Sequence, residues 1–228
     1  RISALTASKL TGDLPAISGV NVTNVHAVNA GRKNLIINGD MRISQRGSYT
    51  SATSVTNANY YLDRHNVYFA AINGTVQHTD VTIGGVSKKA LKIVATSSGT
   101  GYAAPRQAIE LSNIQVGKTY TFSCWIRSNN ANTRFRHSGF GTGGASNSPV
   151  FTNDGNWEKV SWTLDSTGMN SNPAMYLIQY AGTAVAVTSG DYIEFTDFQL
   201  ELGSVATDFE HRSYGEELRL CQRYFYRY

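Results

Sequence analysis

The sequence is poor in cysteine, in charge and in long apolar runs, and each shortage excludes a class of protein. Among its 228 residues only Cys124 and Cys221 are cysteines, too few for a disulfide framework or a four-cysteine zinc site, so we expect two free thiols. No run of about 20 apolar residues and no basic start with an apolar stretch is present, so we expect neither membrane insertion nor a secretion signal. Because the sequence begins at Arg1 and not at methionine, we expect it to be part of a longer chain, and what precedes it stays open.

Charged residues make up 16% of the chain, against about 25% in an average soluble domain. Ser, Thr, Asn and Gly take their place, which favours an all-β, loop-rich fold. The formal net charge of +4 favours anionic partners. The densest basic groups, Arg134 with Arg136 and the terminal Arg219, Arg223 and Arg227, form no continuous stripe, so we do not expect nucleic-acid binding.

Residues 1–33 contain no Phe, Trp or Tyr and cannot build a core of their own. Their aliphatic residues nevertheless recur at regular intervals, at Leu10, Leu14, Ile17, Val20, Val22 and Val25. This spacing favours an extended shaft that is buried by intertwining with identical chains. The alternative is a disordered linker.

From residue 34 to residue 212 the pattern changes to short runs of β-branched and aromatic residues, separated by Gly, Asn, Asp and Ser. About eight strands are predicted, which suits a jelly-roll β-sandwich. Alternation predicts two inward-facing sets in two packed antiparallel sheets: Tyr120, Phe122, Cys124 and Ile126 in one run, and Val160, Trp162 and Leu164 in another. In the run from Asp191 to Leu202, the apolar phase changes near Thr196 and Asp197, which predicts a β-bulge.

Helical spacing is found only in residues 213–228. Ser213 and Glu216 form a capping-box pattern ahead of Leu218, Cys221 and Phe225. A single short helix is therefore predicted, ending in the aromatic tail YFYRY. The sequence leaves open whether the chain continues beyond Tyr228.

Two stretches resemble bacteriophage tail fibre (receptor-binding) proteins: NLIINGDMRISQRG at residues 34–47, and YIEFTDFQLELGSVATDFEHRSYGEELRLCQRYF at residues 192–225. SKLTGDLPAISG upstream is similar to the shaft segments of such fibres. The resemblance implies a homotrimeric virion component, assembled in the host cytoplasm with other tail proteins. Its domain at residues 34–212 would be similar to carbohydrate-binding modules and would attach to a bacterial surface polysaccharide. The alternative is a structural spacer without glycan binding, and in either case helix 213–228 would lead into a further domain.

A sugar site needs aromatic rings for the C–H face of the sugar and planar polar groups for its hydroxyls. The residues that meet this need are Trp125, Arg127, Arg134, Arg136, His137, Tyr176 and Tyr180. We expect the loop-rich span from Asn129 to Pro149 to carry much of the recognition. For each residue a structural role is the alternative: Trp125 would fill a second apolar face, the tyrosines would pack against a neighbouring subunit, and the arginines would pair with acids.

No arrangement of carboxylates, Ser/His/Asp or metal ligands indicates catalysis, so we expect no enzyme activity. The resemblance to carbohydrate-binding modules implies a structural calcium ion between Asp40 and Asp197, completed by Asn38 and backbone carbonyls. The alternative is that Asp40 caps a turn and Asp197 satisfies the bulge.

Overall fold

The computed structural model describes residues 32–55, 58–141, 145–171, 173–179 and 185–227, with backbone alone for 176–179. The predicted shaft, except for its last two residues, lies outside this part of the chain, and so does Tyr180. Within it the strands are β1 (Thr53–Ser54), β2 (Tyr60–Leu62), β3 (His65–Ala70), β4 (Gly74–Ile83), β5 (Val86–Ala95), β6 (Gly99–Ala108), β7 (Thr119–Ser128), β8 (Thr133–Ser138), β9 (Ala145–Asn147), β10 (Glu158–Asp165), β11 (Ala174–Gln179), β12 (Val185–Val187) and β13 (Tyr192–Leu202). A 3-10 turn spans Leu111–Asn113, and the helix α1 spans Tyr214–Gln222.

These strands form two antiparallel sheets. The first sheet has the order β1-β4-β5-β13-β7-β10, and the second has the order β2-β3-β6-β11-β8-β9, with β12 paired to β6. The rings of Phe122 and Phe135 meet between the sheets with centroids 4.3 Å apart, and Phe198 packs 4.5 Å from Phe122. The predicted all-β jelly-roll sandwich with a short C-terminal helix is confirmed.

The inward-facing residues of β7 are buried in this core as alternation predicted: Tyr120, Phe122, Cys124 and Ile126. The partners of β10 differ from the prediction. Val160 and Leu164 face the same core, but β10 pairs directly with β7 in the first sheet and does not belong to the opposite sheet. Alternation shows which side a residue faces, and it contains no information about the neighbouring strand.

The bulge in β13 is confirmed, because the pairing with β7 shifts between Thr196 and Gln199. Asp197 has a φ of 52°, a left-handed conformation that Asp tolerates better than most residues. The bulge turns the side chain of Asp197 to the outer side of the sheet, while Phe195 and Phe198 both reach the core.

The turn at residues 34–41 is locked onto the bulged strand. Asn34 donates its amide Nδ2 to the carbonyl of Phe198 (3.1 Å), and its Oδ1 accepts from the backbone N–H of Leu200 (3.1 Å). Phe198 N–H donates to the carbonyl of Gly39 at 2.8 Å. A Cβ atom at Gly39 would overlap the Phe198 carbonyl oxygen, so only glycine allows this approach. We call this turn with its contacts the clasp.

Helix α1 begins as predicted, with Ser213 and Glu216 forming a reciprocal capping box. The buried carboxylate of Glu217 accepts the N–H of Asn38, and Arg212 donates to the carbonyls of Asn34 and Ile36. These bonds join the helix to the clasp. Within the described ranges, no helix has the length and apolar character needed to cross a membrane.

Between β13 and α1, residues 203–212 cross the outer face of the first sheet; we call them the strap. The strap donates from Thr207 N–H to Glu201 at 2.9 Å and from Glu210 N–H to Gln199 at 2.9 Å. Its Gly203 carbonyl accepts from the hydroxyl of Thr121 at 2.8 Å. The outer face of the first sheet is therefore partly covered.

Two buried histidines make stability depend on pH. Burial lowers the pKa of His65 and that of His137 to about 4 each. A histidine that is kept neutral in the folded state binds its proton more readily when the chain unfolds, so stability is complete above pH ~6.5. We expect the free energy of unfolding to fall by roughly 3 kcal/mol per histidine between pH ~6.5 and ~4 and to level off below.

Denaturant unfolding at several pH values between ~6.5 and ~4 measures how steeply the free energy of unfolding changes with pH. The variant His137→Phe keeps an aromatic ring against Trp162 and removes one titrating group, so its free energy of unfolding should fall less steeply as the pH is lowered than that of the wild type. If the variant and the wild type showed the same pH dependence, the lowered pKa of His137 in the folded state would be contradicted.

Candidate functional site

The predicted glycan-binding residues lie on different surfaces of the sandwich. Trp125 and Arg127 project from the outer face of the first sheet, because they alternate with the core residues of β7. Arg134 and Arg136 alternate with the buried Phe135 of β8 and project from the outer face of the second sheet. These residues therefore do not form one recognition surface.

His137 faces the core, where it is only 7% exposed. Its ring stacks on Trp162, with centroids 5.2 Å apart and an interplanar angle of 27°. The cause is the phase of β8, which puts His137 on the same side as Phe135. The predicted contact of His137 with a ligand at the outer surface does not agree with this position.

Arg127 is held by its own sheet. Its guanidinium binds the buried carboxylate of Glu194 through Nη2 (2.6 Å) and Nε (2.7 Å), and lies 5.0 Å from the ring centroid of Trp157. Glu194 also accepts from the hydroxyl of Thr79 at 2.6 Å. Arg127 thus neutralises a carboxylate that is 1% exposed, which is the structural alternative named from the sequence.

The second sheet places Arg106 and Arg136 in one row across its strands. Backbone pairing places Asn66 beside Arg106, Arg106 beside Tyr176, Tyr176 beside Arg136, and Arg136 beside Asn147. With neighbouring strands about 4.8 Å apart, the five positions extend over roughly 19 Å. We call this line of residues the arginine row.

Side-chain contacts hold the row in place. Arg136 donates from Nη1 to the Asn147 amide oxygen at 3.1 Å, and Arg106 donates from Nη1 to the hydroxyl of Tyr68 at 2.8 Å. Arg134, two residues along β8 on the same face, donates from Nε to the carbonyl of Asn132 at 3.2 Å. Each guanidinium is half-buried, so its orientation is set before any ligand arrives.

The charge on this face has one sign. No strand of the second sheet contains Asp or Glu, and all three of the sheet's arginines occupy outward positions. The strands of the first sheet do contain acids, at Asp80, Glu158, Asp165, Glu194, Asp197 and Glu201. An outward face with guanidinium forks and no carboxylate in its strands is suited to carboxylate, phosphate or sulfate groups.

Sequence reasoning singled out Arg134 and Arg136 on this surface and Tyr176 in the strand between β6 and β8, but missed Asn66, Tyr68, Tyr102 and Arg106. The signal that was available is composition: β3 and β6 lack acids and place Tyr68, Tyr102 and Arg106 in one alternation phase. What the sequence does not show is that β11 lies between β6 and β8.

The two predicted calcium ligands line one pocket, together with Arg42 and with residues of β4 and β5 that include Lys88. Asp197 Oδ2 accepts from Lys88 Nζ at 2.7 Å, and Asp40 Oδ2 accepts from Arg42. The Oδ1 atoms of both carboxylates are buried and have no hydrogen-bond partner. These two oxygens fit a cation.

The rest of a calcium shell is less complete. Calcium takes 6–8 oxygens, and the amide of Asn38 is engaged with Ile43 and the carbonyl of Asp63. No group of three or more His, Cys, Asp or Glu able to hold a metal occurs among the residues placed by the structure. The calcium ion stays a prediction, with Asp40 Oδ1 and Asp197 Oδ1 as the atoms that would hold it.

Thermal unfolding tests the calcium prediction. If the two free oxygens bind calcium, millimolar Ca²⁺ should raise the melting temperature relative to excess chelator, because the ion binds only the folded chain. Asp197→Asn tolerates the left-handed backbone and should abolish the difference. Equal melting temperatures in Ca²⁺ and chelator would leave Arg42 and Lys88 as the groups that neutralise the two carboxylates.

No family model and no curated protein sequence matches this chain. Its fold is similar to that of solved structures of low sequence identity. One is the enzymatically active domain of tailspike protein 4 of bacteriophage CBA120, with a TM-score of 0.47 and 12% identity; the match covers 75% of this chain and 21% of that chain. Another is the CBM22-1 xylan-binding domain of Xyn10C from Paenibacillus barcinonensis, with a TM-score of 0.43, 13% identity, and coverage of 70% of this chain and 99% of that chain. A third is TmCBM61 in complex with β-1,4-galactotriose, with a TM-score of 0.39, 11% identity, and coverage of 75% and 100%.

Proposed function

We propose that the chain is an adhesion module of a bacteriophage tail fibre and binds an anionic glycan of the bacterial surface along the arginine row. The observation that carries this proposal is the outward face of the second sheet, with Arg106, Arg134 and Arg136 and no acid in its strands. The proposed activity is binding and includes no catalytic step.

Several groups on this outer face would have a part in this binding. The planar forks of Arg134 and Arg136 would each receive a carboxylate or phosphate of the glycan. The amide of Asn147, at one end of the row, would bond a sugar hydroxyl. Tyr68 and Tyr102 are half-buried and would offer ring surface to the sugar C–H groups.

The tail fibre setting and the homotrimer are supported by the resemblance of residues 34–47 and 192–225 to fibre proteins. The aliphatic residues of segment 1–33 would be buried between three chains. Three copies of the row on one particle would raise the avidity for a repeating polysaccharide well above the affinity of one site.

Adsorption of the labelled chain to host cells and to purified acidic polysaccharide tests the proposal. Arg134→Gln with Arg136→Gln should lower the affinity per site by about 100-fold, if each guanidinium contributes about 1.5 kcal/mol. Wild-type binding should also weaken as ionic strength rises. Light scattering of the same samples should return three chains.

The matched control is Arg219→Gln with Arg227→Gln, which removes the same charge from exposed positions in and beyond helix α1. It should bind as the wild type does. If both double variants lost affinity equally, the loss would be explained by net charge and not by a site at Arg134 and Arg136. Normal adsorption of the Arg134 and Arg136 variant, or no adsorption by the wild type, would favour a structural spacer.

A further inference from the structure

The outer face of the first sheet contains a cleft that the proposed glycan site does not use. Its floor is formed by strands β5, β13, β7 and β10, and its wall by the strap, and it encloses ≈ 420 Å³. This volume is within the range of small-molecule sites, about 300–1,000 Å³. The lining residues include Lys88, Trp125, Lys159, Asp197, Phe209 and His211.

An unpaired polar atom lies at the floor of this cleft. Asp197 lines the cleft, and its Oδ1 is buried and has no hydrogen-bond partner in the described part of the protein. Buried polar atoms without partners destabilise a protein, and a ligand that hydrogen-bonds to them is favoured for that reason.

The walls of the cleft are aromatic. Trp125 is half-buried and packs at the edge of the apolar patch formed by Val81, Ile83 and Ala90. On the strap, the rings of Phe209 and His211 are in edge contact, with centroids 5.0 Å apart. The cleft thus combines an indole surface with an unpaired carboxylate oxygen in the floor.

The charges that line the cleft cancel in pairs. Lys88 Nζ binds Asp197 at 2.7 Å, and Lys159 Nζ lies 3.7 Å from Asp208. The second pair is solvent-exposed and loose, so both of its members can turn to a ligand. A site with balanced charge, an indole and an unpaired carboxylate oxygen is suited to an uncharged polyol, in contrast to the second sheet's outer face, whose strands have arginines and no acids.

We infer that this cleft is a second carbohydrate site, specific for a neutral sugar ring that stacks on Trp125. One sugar hydroxyl donates to Asp197 Oδ1 when no calcium ion is bound to that atom. Lys159 and Asp208 bond the hydroxyls at the rim. The protein then has two sites of different chemistry on opposite faces of one sandwich.

The test uses the full chain labelled with 5-fluorotryptophan, which gives one ¹⁹F signal for each of its three tryptophans. Glucose, galactose and N-acetylglucosamine are titrated to 50 mM, with glucuronate as the charged probe. A neutral sugar should shift the Trp125 signal saturably and leave that of the core residue Trp162 unchanged. No shift of Trp125 with any of the three neutral sugars, or a larger shift with glucuronate, would overturn the inference.

Lys159→Gln with Asp208→Asn separates binding from folding. Both side chains are exposed and form one loose ion pair, so the melting temperature should hold, while the affinity for the neutral sugar should fall at least fivefold. Unchanged affinity would overturn the contacts at the rim and with them this site. The double variant Arg134→Gln, Arg136→Gln should leave the Trp125 titration as it is, so this inference and the proposed acidic-glycan site fail or succeed separately.

Discussion

The sandwich depends on the clasp between residues 34–41 and the bulged strand β13. Asn34 uses both ends of its amide on β13, and Gly39 approaches so closely that a side chain at this position would not fit. Arg212 and Glu217 then join the C-terminal helix to the same turn. Segments more than 160 positions apart in sequence are thereby fixed to each other in the fold.

The clasp also determines which face is open. Because Arg212 is anchored at the clasp, the strap has to cross the first sheet to reach it from the end of β13. The crossing covers part of the first sheet and creates the wall of the Trp125 cleft. No segment that bonds to the second sheet in this way is found in the described part of the chain, and the arginine row lies on that sheet.

Local patterns predicted the parts of the fold that depend on local physics. Alternation placed Phe122 and Ile126 in the core, the change of phase located the bulge at Asp197, and Ser213 with Glu216 predicted the start of the helix. Non-local facts were missed, among them the direct pairing of β10 with β7. The strap has no periodicity, so nothing in its sequence indicated that Phe209 and His211 would line the same cleft as Trp125. Alternation along β8 puts His137 on the side of the strand away from Arg136, which is the core side. The prediction that His137 binds ligand gave the chemistry of its ring more weight than this alternation.

The central claim is that an acidic glycan lies across the second sheet, over the arginine row. A crystal structure of the chain soaked with an acidic oligosaccharide from the host surface tests it most directly. The account predicts the sugar's acidic groups within hydrogen-bond distance of the Arg134 and Arg136 guanidiniums, with its chain running between Asn66 and Asn147. An oligosaccharide bound elsewhere, with the second sheet's outer face bare, would contradict it.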